Sequence, residues 1–346
     1  MTDENVYYVE FKDGECFMKI VRFVILTILL FQPLTAKEGI NFSVAPKFEL
    51  GFGHTTYTMD NIYGTDSTGA IVGELKSELK FPLDATYAGF EVEIYREKAD
   101  SKLWFVDVAY SKNINNPRGV MTDGDWLTPT GGFDFLWSYT ESDVEYKYDM
   151  FSAHAGYRIY KWTKSNTFVV VGYKYQRVVQ DVINIRGWQY DFDQDPLVKV
   201  NIDTTIHALY YKVVYHQPSI GLLYDLHFTP RQQLQLSVGY MHVFASDNDD
   251  HILRNKLSEA SGTGPGFYSS LELNYHFQPP HHAMRPFIGF DADFSYLKVS
   301  TGQTQTWYGD DPITDGEDDT GHIERNIPHR FTSLQFFIGL RAGVAF

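Results

Sequence analysis

Two stretches of the 346-residue chain carry residue types that can activate water. "VMTDGDWLTPTGG", residues 120–132, holds Asp123 and Asp125. "FASDNDDHIL", residues 244–253, holds Asp247, Asp249, Asp250 and His251. Each contains an i, i+2 pair, and on an extended chain such positions face the same side. Asp123 and Asp125 should therefore point together, and so should Asp249 and His251. An imidazole oriented by its aspartate takes a proton from water, and a carboxylate pair facing it helps hold that water. Each stretch taken singly also has a plainer reading. Asp-Gly is turn chemistry, and "DNDDH" reads as a solvated acidic run. A calcium loop of the EF-hand kind would need a glycine and a distal glutamate that are missing here. A zinc site would want more histidines or a cysteine, so no metal is expected. His281 and His282 fall in a short turn and receive no role.

Chemistry shared between distant stretches needs elements that bring them together. The dominant pattern is period two, the signature of strands with one apolar and one polar face. From Phe42, "FSVAPKFELGFG" sets Phe48, Leu50 and Phe52 against Lys47, Glu49 and Gly51. In "LQLSVGYMHVFA", Leu234, Leu236, Val238, Tyr240 and Phe244 share a face. The last segment sets Phe336, Ile338 and Leu340 against Phe337, Gly339 and Arg341. A soluble sandwich and a membrane barrel share this local pattern, but their connections differ. Here short connections (98–102, 161–166, 229–233, 279–285) alternate with long ones (113–143, 184–204, 246–266, 300–328), as in a membrane barrel. Ten segments are expected: 41–58, 70–97, 101–112, 144–160, 167–183, 205–227, 233–245, 267–278, 286–299 and 329–346. Pro82 and Pro218 mark bulges or bends within two of them. The fold class is thus all-β, a ten-stranded antiparallel transmembrane β-barrel with long extracellular loops and short periplasmic turns. Four strand positions separate the two acidic stretches, about 144° around such a ring, so inward side chains from both could meet across its mouth.

Composition agrees. The chain has 24 tyrosines and 26 phenylalanines on a mean hydropathy of −0.29, which suits an apolar band outside and a wet interior. "MKIVRFVILTILLFQPLTA", from Met18, has a basic start, a nine-residue apolar run and a small-residue end. It reads as a secretory signal and is too short to cross a bilayer as a helix. Residues 1–36 are assigned to an upstream extension plus this signal, and 37–346 to one barrel domain. The single cysteine, Cys16, lies in the extension, so thiol and disulfide chemistry are excluded from the barrel. The formal charge of −15 and the acidic run "GDDPITDGEDDTGHIE" would steer cationic partners inward, or serve only to keep the rim solvated.

The two motifs resemble those of the omptin family of outer-membrane proteases. The family's D-x-D-W is matched by Asp123, Gly124, Asp125 and Trp126, and its D-N-D-x-H by Asp247, Asn248, Asp249, Asp250 and His251. The resemblance runs from about residue 40 to the end. It implies an aspartyl-type endopeptidase of the Gram-negative outer membrane that cleaves beside basic residues, with its active site at the exterior rim. Asp123 and Asp125 would form one catalytic couple, Asp249 and His251 the other, and Asp247 would bind the substrate arginine. A glutamate that usually assists Asp247 has no counterpart, since "HTTYTMDNIYGTD" offers only Asp60 and Asp66. The resemblance also implies lipopolysaccharide as an activator, contacted by Tyr173 and Arg177 of "GYKYQR". Tyr175 stands where an acid is usual and Val214 where a base is usual. Expected partners are basic peptides and outer-membrane lipid, without nucleic acid or cofactor, for a monomer. The alternative is a non-catalytic barrel on this scaffold, an adhesin or narrow channel, because fold does not fix function.

Overall fold

The computed structural model describes residues 39–65, 71–98, 101–191, 198–279, 284–312 and 318–346. The signal segment, Cys16, Asp66, His281 and His282 lie outside the described residues. The alternating segments form twelve strands: β1 (Ile40–Thr65), β2 (Ile71–Pro82), β3 (Ala85–Glu97), β4 (Lys102–Asn113), β5 (Arg118–Pro129), β6 (Phe135–Lys161), β7 (Ser165–Asp191), β8 (Val198–Thr229), β9 (Gln232–His251), β10 (Lys256–His276), β11 (Arg285–Trp307) and β12 (Ile323–Ala345).

All twelve join one antiparallel sheet that closes on itself. β1 pairs with β12 from Ser43↔Ala345 to Met59↔His329, which leaves no open edge along that seam. The twelve strands fill ten positions of the ring. β1 pairs with β3 along its first half and with β2 along its second, while β6 pairs with β5 along its first half and with β4 along its second. β2 and β3 therefore lie end to end in one position, and β5 and β4 in the next. The break between β2 and β3 falls at Pro82, where a bend was expected. Gly53 supports it: its amide donates to Asp84 Oδ1 at 3.0 Å and its carbonyl accepts from the Leu83 amide at 3.0 Å. Its φ of +136° needs glycine, and a Cβ there would lie 2.1 Å from the Leu334 carbonyl oxygen. Pro218, by contrast, runs through β8 with no register shift around it, so no bulge forms there.

Much of the long connections is itself strand. Residues 118–129 form β5, and β8 reaches 32 residues, where about 9–11 suffice to cross a bilayer. The connection from β9 to β10 shrinks to Ile252–Asn255. Beyond the bilayer both faces of a strand are wet, so hydropathy stops alternating while the ladder continues. In β9, the outward Ser246, Asn248 and Asp250 are as polar as the inward Asp247, Asp249 and His251.

The outer face carries an apolar band. Phe48, Leu50 and Phe52 on β1 and Leu236, Val238 and Phe244 on β9 are among its exposed members. Toward the rim the lumen is packed solid with buried rings, among them Tyr57, Phe81, Tyr148, Tyr211 and Phe331. Toward the end with the short turns it opens into a cavity of about 1270 Å³ lined by both charge signs, including Glu91, Lys102, Asp225 and Arg341. There Arg341 Nη1 donates to both carboxylate oxygens of Glu91 at 2.8 and 2.9 Å, and Nη2 donates to Glu272. The start of β1 and the end of β12 meet at this end through paired backbone bonds between Phe42 and Phe346.

Val238 is 61% exposed in the middle of the band on β9. A Val238→Arg barrel refolded into bilayers should lose about 2–4 kcal/mol against urea, the cost of a cation at the bilayer midplane. A loss under about 0.5 kcal/mol would place this face in water, as in the interfacial limit.

Candidate active site

The β9–β10 hairpin fixes the histidine. His251 ends β9, a single 3₁₀ turn (Ile252–Arg254) follows, and Asn255 closes it in the left-handed region at φ 49°. Asn255 is suited to that conformation. β10 restarts at Lys256, the register partner of His251. The tip is tied down from β11 and its following connection. Asn255 Nδ2 donates to the Asp310 carbonyl at 2.7 Å, and the Tyr308 amide donates to the Asn255 carbonyl at 2.9 Å. Arg254 reaches the buried Asp311 at 2.8 and 2.9 Å, and the Trp307 indole donates to the same carboxylate at 3.2 Å.

On this rigid tip the His251 ring Nε2 lies 2.9 Å from Asp249 Oδ2, and Asp249 is wholly buried. Both residues face the lumen on the same side of β9 as Asp247. All three lie past Phe244, the last exposed apolar residue of that strand, and so beyond the membrane band.

Asp123 and Asp125 come from β5, held between β2 and β6. Their register partners are Leu79 and Ser77 on one side and Thr140 and Ser138 on the other, with a register shift just after Asp125. Those partners face the lumen, so both aspartates do as well. Burial pushes the Asp123 carboxyl well above the usual carboxylate range, and the charges of Asp125 and Asp249 push it further. Asp125 is also raised, by burial, but is moderated by a hydrogen bond from Ser77 and by the positive charge of Arg254, His251 and Lys256. Each carboxylate disfavours the charge of the other, and burial of Asp123 makes it the harder of the two to ionise. The couples feel each other across the mouth, Asp123 through Asp249 and Asp125 through His251. Asp123 Oδ1 and Asp249 Oδ1 are buried, with no hydrogen-bond partner among the described residues.

Asp247 is placed differently. Its Oδ1 accepts the Ala260 amide at 3.0 Å, and its Oδ2 lies 3.3 Å from His329 Nε2. Both side chains are inaccessible to solvent. Burial raises the Asp247 carboxyl to about 6 against the opposing pull of His329. Asp60, the acid on β1 nearest the rim, is held by Arg330 at 3.1 Å. Tyr173 and Arg177 are far from this chemistry, on the outer face of β7. There the Tyr173 hydroxyl lies 2.6 Å from His216 Nδ1, and Arg177 lies 3.6 Å from Asp149.

Four residues join the site that the two motifs did not reveal. The Tyr57 hydroxyl faces Asp249, Asp247 and Asp123 and receives a hydrogen bond from Gln303. His329 covers Asp247. Lys256, 4% exposed, points in beside Asp249, and burial followed by the charge of Arg254 lowers its ammonium to about 8. Strand parity is the signal that could have found two of them. Extending the inward set Phe337, Gly339 and Arg341 back along β12 reaches His329, and extending Gly51 and Gly53 along β1 reaches Tyr57.

Residues 50–330 match the model of the Omptin family. Among solved structures, the chain is similar to the outer membrane protease OmpT from Escherichia coli. The two are 13% identical with a TM-score of 0.67, over 88% of this chain and 96% of that one. The translocator domain of the autotransporter NalP from Neisseria meningitidis covers 96% of each chain at 11% identity, with a TM-score of only 0.32. No curated protein sequence matches.

Because Asp247 binds its proton more tightly folded than unfolded, it penalises the fold as pH rises through the ordinary carboxylate range to about 6. Above that the penalty is constant, on the order of 2–3 kcal/mol. Asp247→Asn keeps an acceptor for the Ala260 amide. It should raise the thermal midpoint near pH 7.5 and change it little near pH 4. Equal shifts at both values would show that Asp247 carries no such charge penalty.

Proposed function

The chain belongs to the omptin family of outer-membrane proteases, and from that premise we propose that it is an endopeptidase whose nucleophile is a water molecule held between Asp123–Asp125 and Asp249–His251. The observation that carries this reading is the Asp249–His251 contact of 2.9 Å, on a strand whose lumen face lies opposite the buried Asp123 and Asp125. With Asp249 ionised, Nε2 of His251 carries the proton it donates to the carboxylate, and Nδ1 keeps its lone pair. Nδ1 takes a proton from the water as the oxygen attacks the peptide carbonyl carbon. The proton on Asp123 can be donated to the developing oxyanion, a task for a preorganised donor in a dry site. Asp125, still ionised, accepts from the water's other hydrogen. As the tetrahedral species collapses, the protonated oxyanion gives its proton back to Asp123 and re-forms C=O, the C–N bond breaks, and the imidazolium gives its proton to the leaving amine.

Peptides that carry basic residues fit the surroundings. The rim exposes Glu259, Asp310, Asp318 and Glu324, and the chain as a whole carries a formal charge of −15. Such a field raises the encounter rate of cations and fades with salt. The solid packing of rings beneath the site argues against the narrow-channel alternative. Lipopolysaccharide would lie against the outer face, where Tyr173 and Arg177 offer a phenol and a cation. The rim would then face the cell exterior.

Quenched peptides containing Arg-Arg or Ala-Arg, incubated with refolded barrel with and without lipopolysaccharide, test the reading. His251→Ala and Asp123→Ala should each lower kcat/KM by at least about 10²-fold, the scale of lost general acid–base chemistry. Full activity in the His251→Ala barrel would end this mechanism. Because the base must be neutral, the wild-type rate should fall on the acid side of the range of about pH 5–8 in which histidines titrate. A flat profile there would exclude His251 as the base.

A further inference from the structure

β9 sends Asp247 and Asp249 to the same face, about 7 Å apart at 3.3–3.4 Å per residue. A substrate side chain next to the bond being cut would therefore fall beside Asp247. The carboxylate is not free to receive it. Oδ1 is taken by the Ala260 amide, and Oδ2 faces His329 at 3.3 Å. The buried His329 imidazole thus lies over the buried Asp247 Oδ2 at ion-pair distance and occupies it. Its place is set by packing: the Tyr57 ring is 4.1 Å away and the Phe331 ring 4.3 Å. Tyr57 is itself anchored by Gln303. On this side β1 contributes Tyr57 and Met59, and its rim acid Asp60 is engaged by Arg330.

We propose that His329 is a specificity-determining residue: it occupies the approach to Asp247, closes that subsite to a guanidinium, and shifts the preference beside the scissile bond from arginine toward small uncharged side chains. The assignment rests on the peptidase reading for its catalytic meaning, but the closed subsite is a property of binding alone. A guanidinium needs an unobstructed carboxylate edge for its paired N–H groups. Here one oxygen is committed to the backbone and the other is covered by a packed ring. Basic residues elsewhere in the peptide remain free to use the exposed rim acids.

The test uses peptides identical except for Arg, Lys, Gln or Ala on the N-terminal side of the cut. Wild type should cleave the Ala peptide no worse than the Arg peptide. His329→Ala should raise the Arg-to-Ala ratio of kcat/KM about tenfold, within the discrimination that one pocket contact can supply. Adding Asp247→Asn should abolish that gain. An unchanged or lower ratio in His329→Ala overturns the proposal, as does a wild type that already prefers Arg strongly. The second readout is binding of N-acetyl-arginine amide, followed by calorimetry on the refolded full-length barrel. His329→Ala should bind it about tenfold more tightly than wild type, and the double variant should not. Equal affinity overturns the assignment. If no peptide is cut by any variant, the peptidase reading fails, and the binding experiment still decides the role of His329. Where His329→Ala does not assemble, His329→Asn, which also shortens the side chain, carries the same comparison.

Discussion

The backbone must satisfy itself wherever lipid surrounds it. No water is available there to take an unpaired amide, so a sheet that crosses a bilayer has to close. In this chain closure is the β1–β12 ladder, and the rest of the structure follows from it. Closure curves the sheet and gives it an inside. That interior is shielded from bulk solvent at the rim by the rings of Tyr57, Phe81, Tyr148 and Tyr211. Carboxylates placed above those rings are dehydrated, and dehydration is the largest contribution to the raised Asp123 and Asp247 carboxyls. The acid–base character of the mouth is therefore a consequence of how the lumen is packed.

The rim also shows why strands, rather than loops, carry the reactive groups. A ladder bonded on both sides holds Asp123 between β2 and β6 and Asp249 between β8 and β10. Orientation is then set by register. The hairpin tip that bears His251 would be the freest part, and it is there that Arg254, Asn255, Tyr308 and Asp311 cross-brace two neighbouring connections. Rigid placement of a base and its orienting acid is what lets a small set of side chains lower a barrier.

The barrel was legible from residues because lipid on one face and polar groups on the other impose strict alternation, as in the sets around Phe48 and Val238. Pro82 signalled the break in the second segment, whereas Pro218 signalled nothing that forms, because β8 absorbs it within an unshifted ladder. Beyond the bilayer the alternation disappears, which is why β5 and the outer ends of β8 and β11 read as loops. The acidic pairs stood out by residue type and spacing. Their partners did not. Tyr57, Lys256, Gln303 and His329 are common residues with no local motif, and each matters only through a neighbour supplied by another strand. Asp247 shows this most clearly: its motif suggests an open carboxylate, while its real environment is written at the far end of the chain.

The Phe42–Phe346 junction has a temporal meaning as well as a structural one. The ring cannot be completed until β12, the last strand in chain order, reaches β1. Before that, β5 and β9 lie four strands apart on an open ribbon, about 19 Å from one another along the sheet at 4.8 Å per step. Curling of the finished cylinder is what turns the two acid groups face to face. Any hydrolytic power of this molecule is thus withheld until the barrel is complete, because closure itself assembles the site.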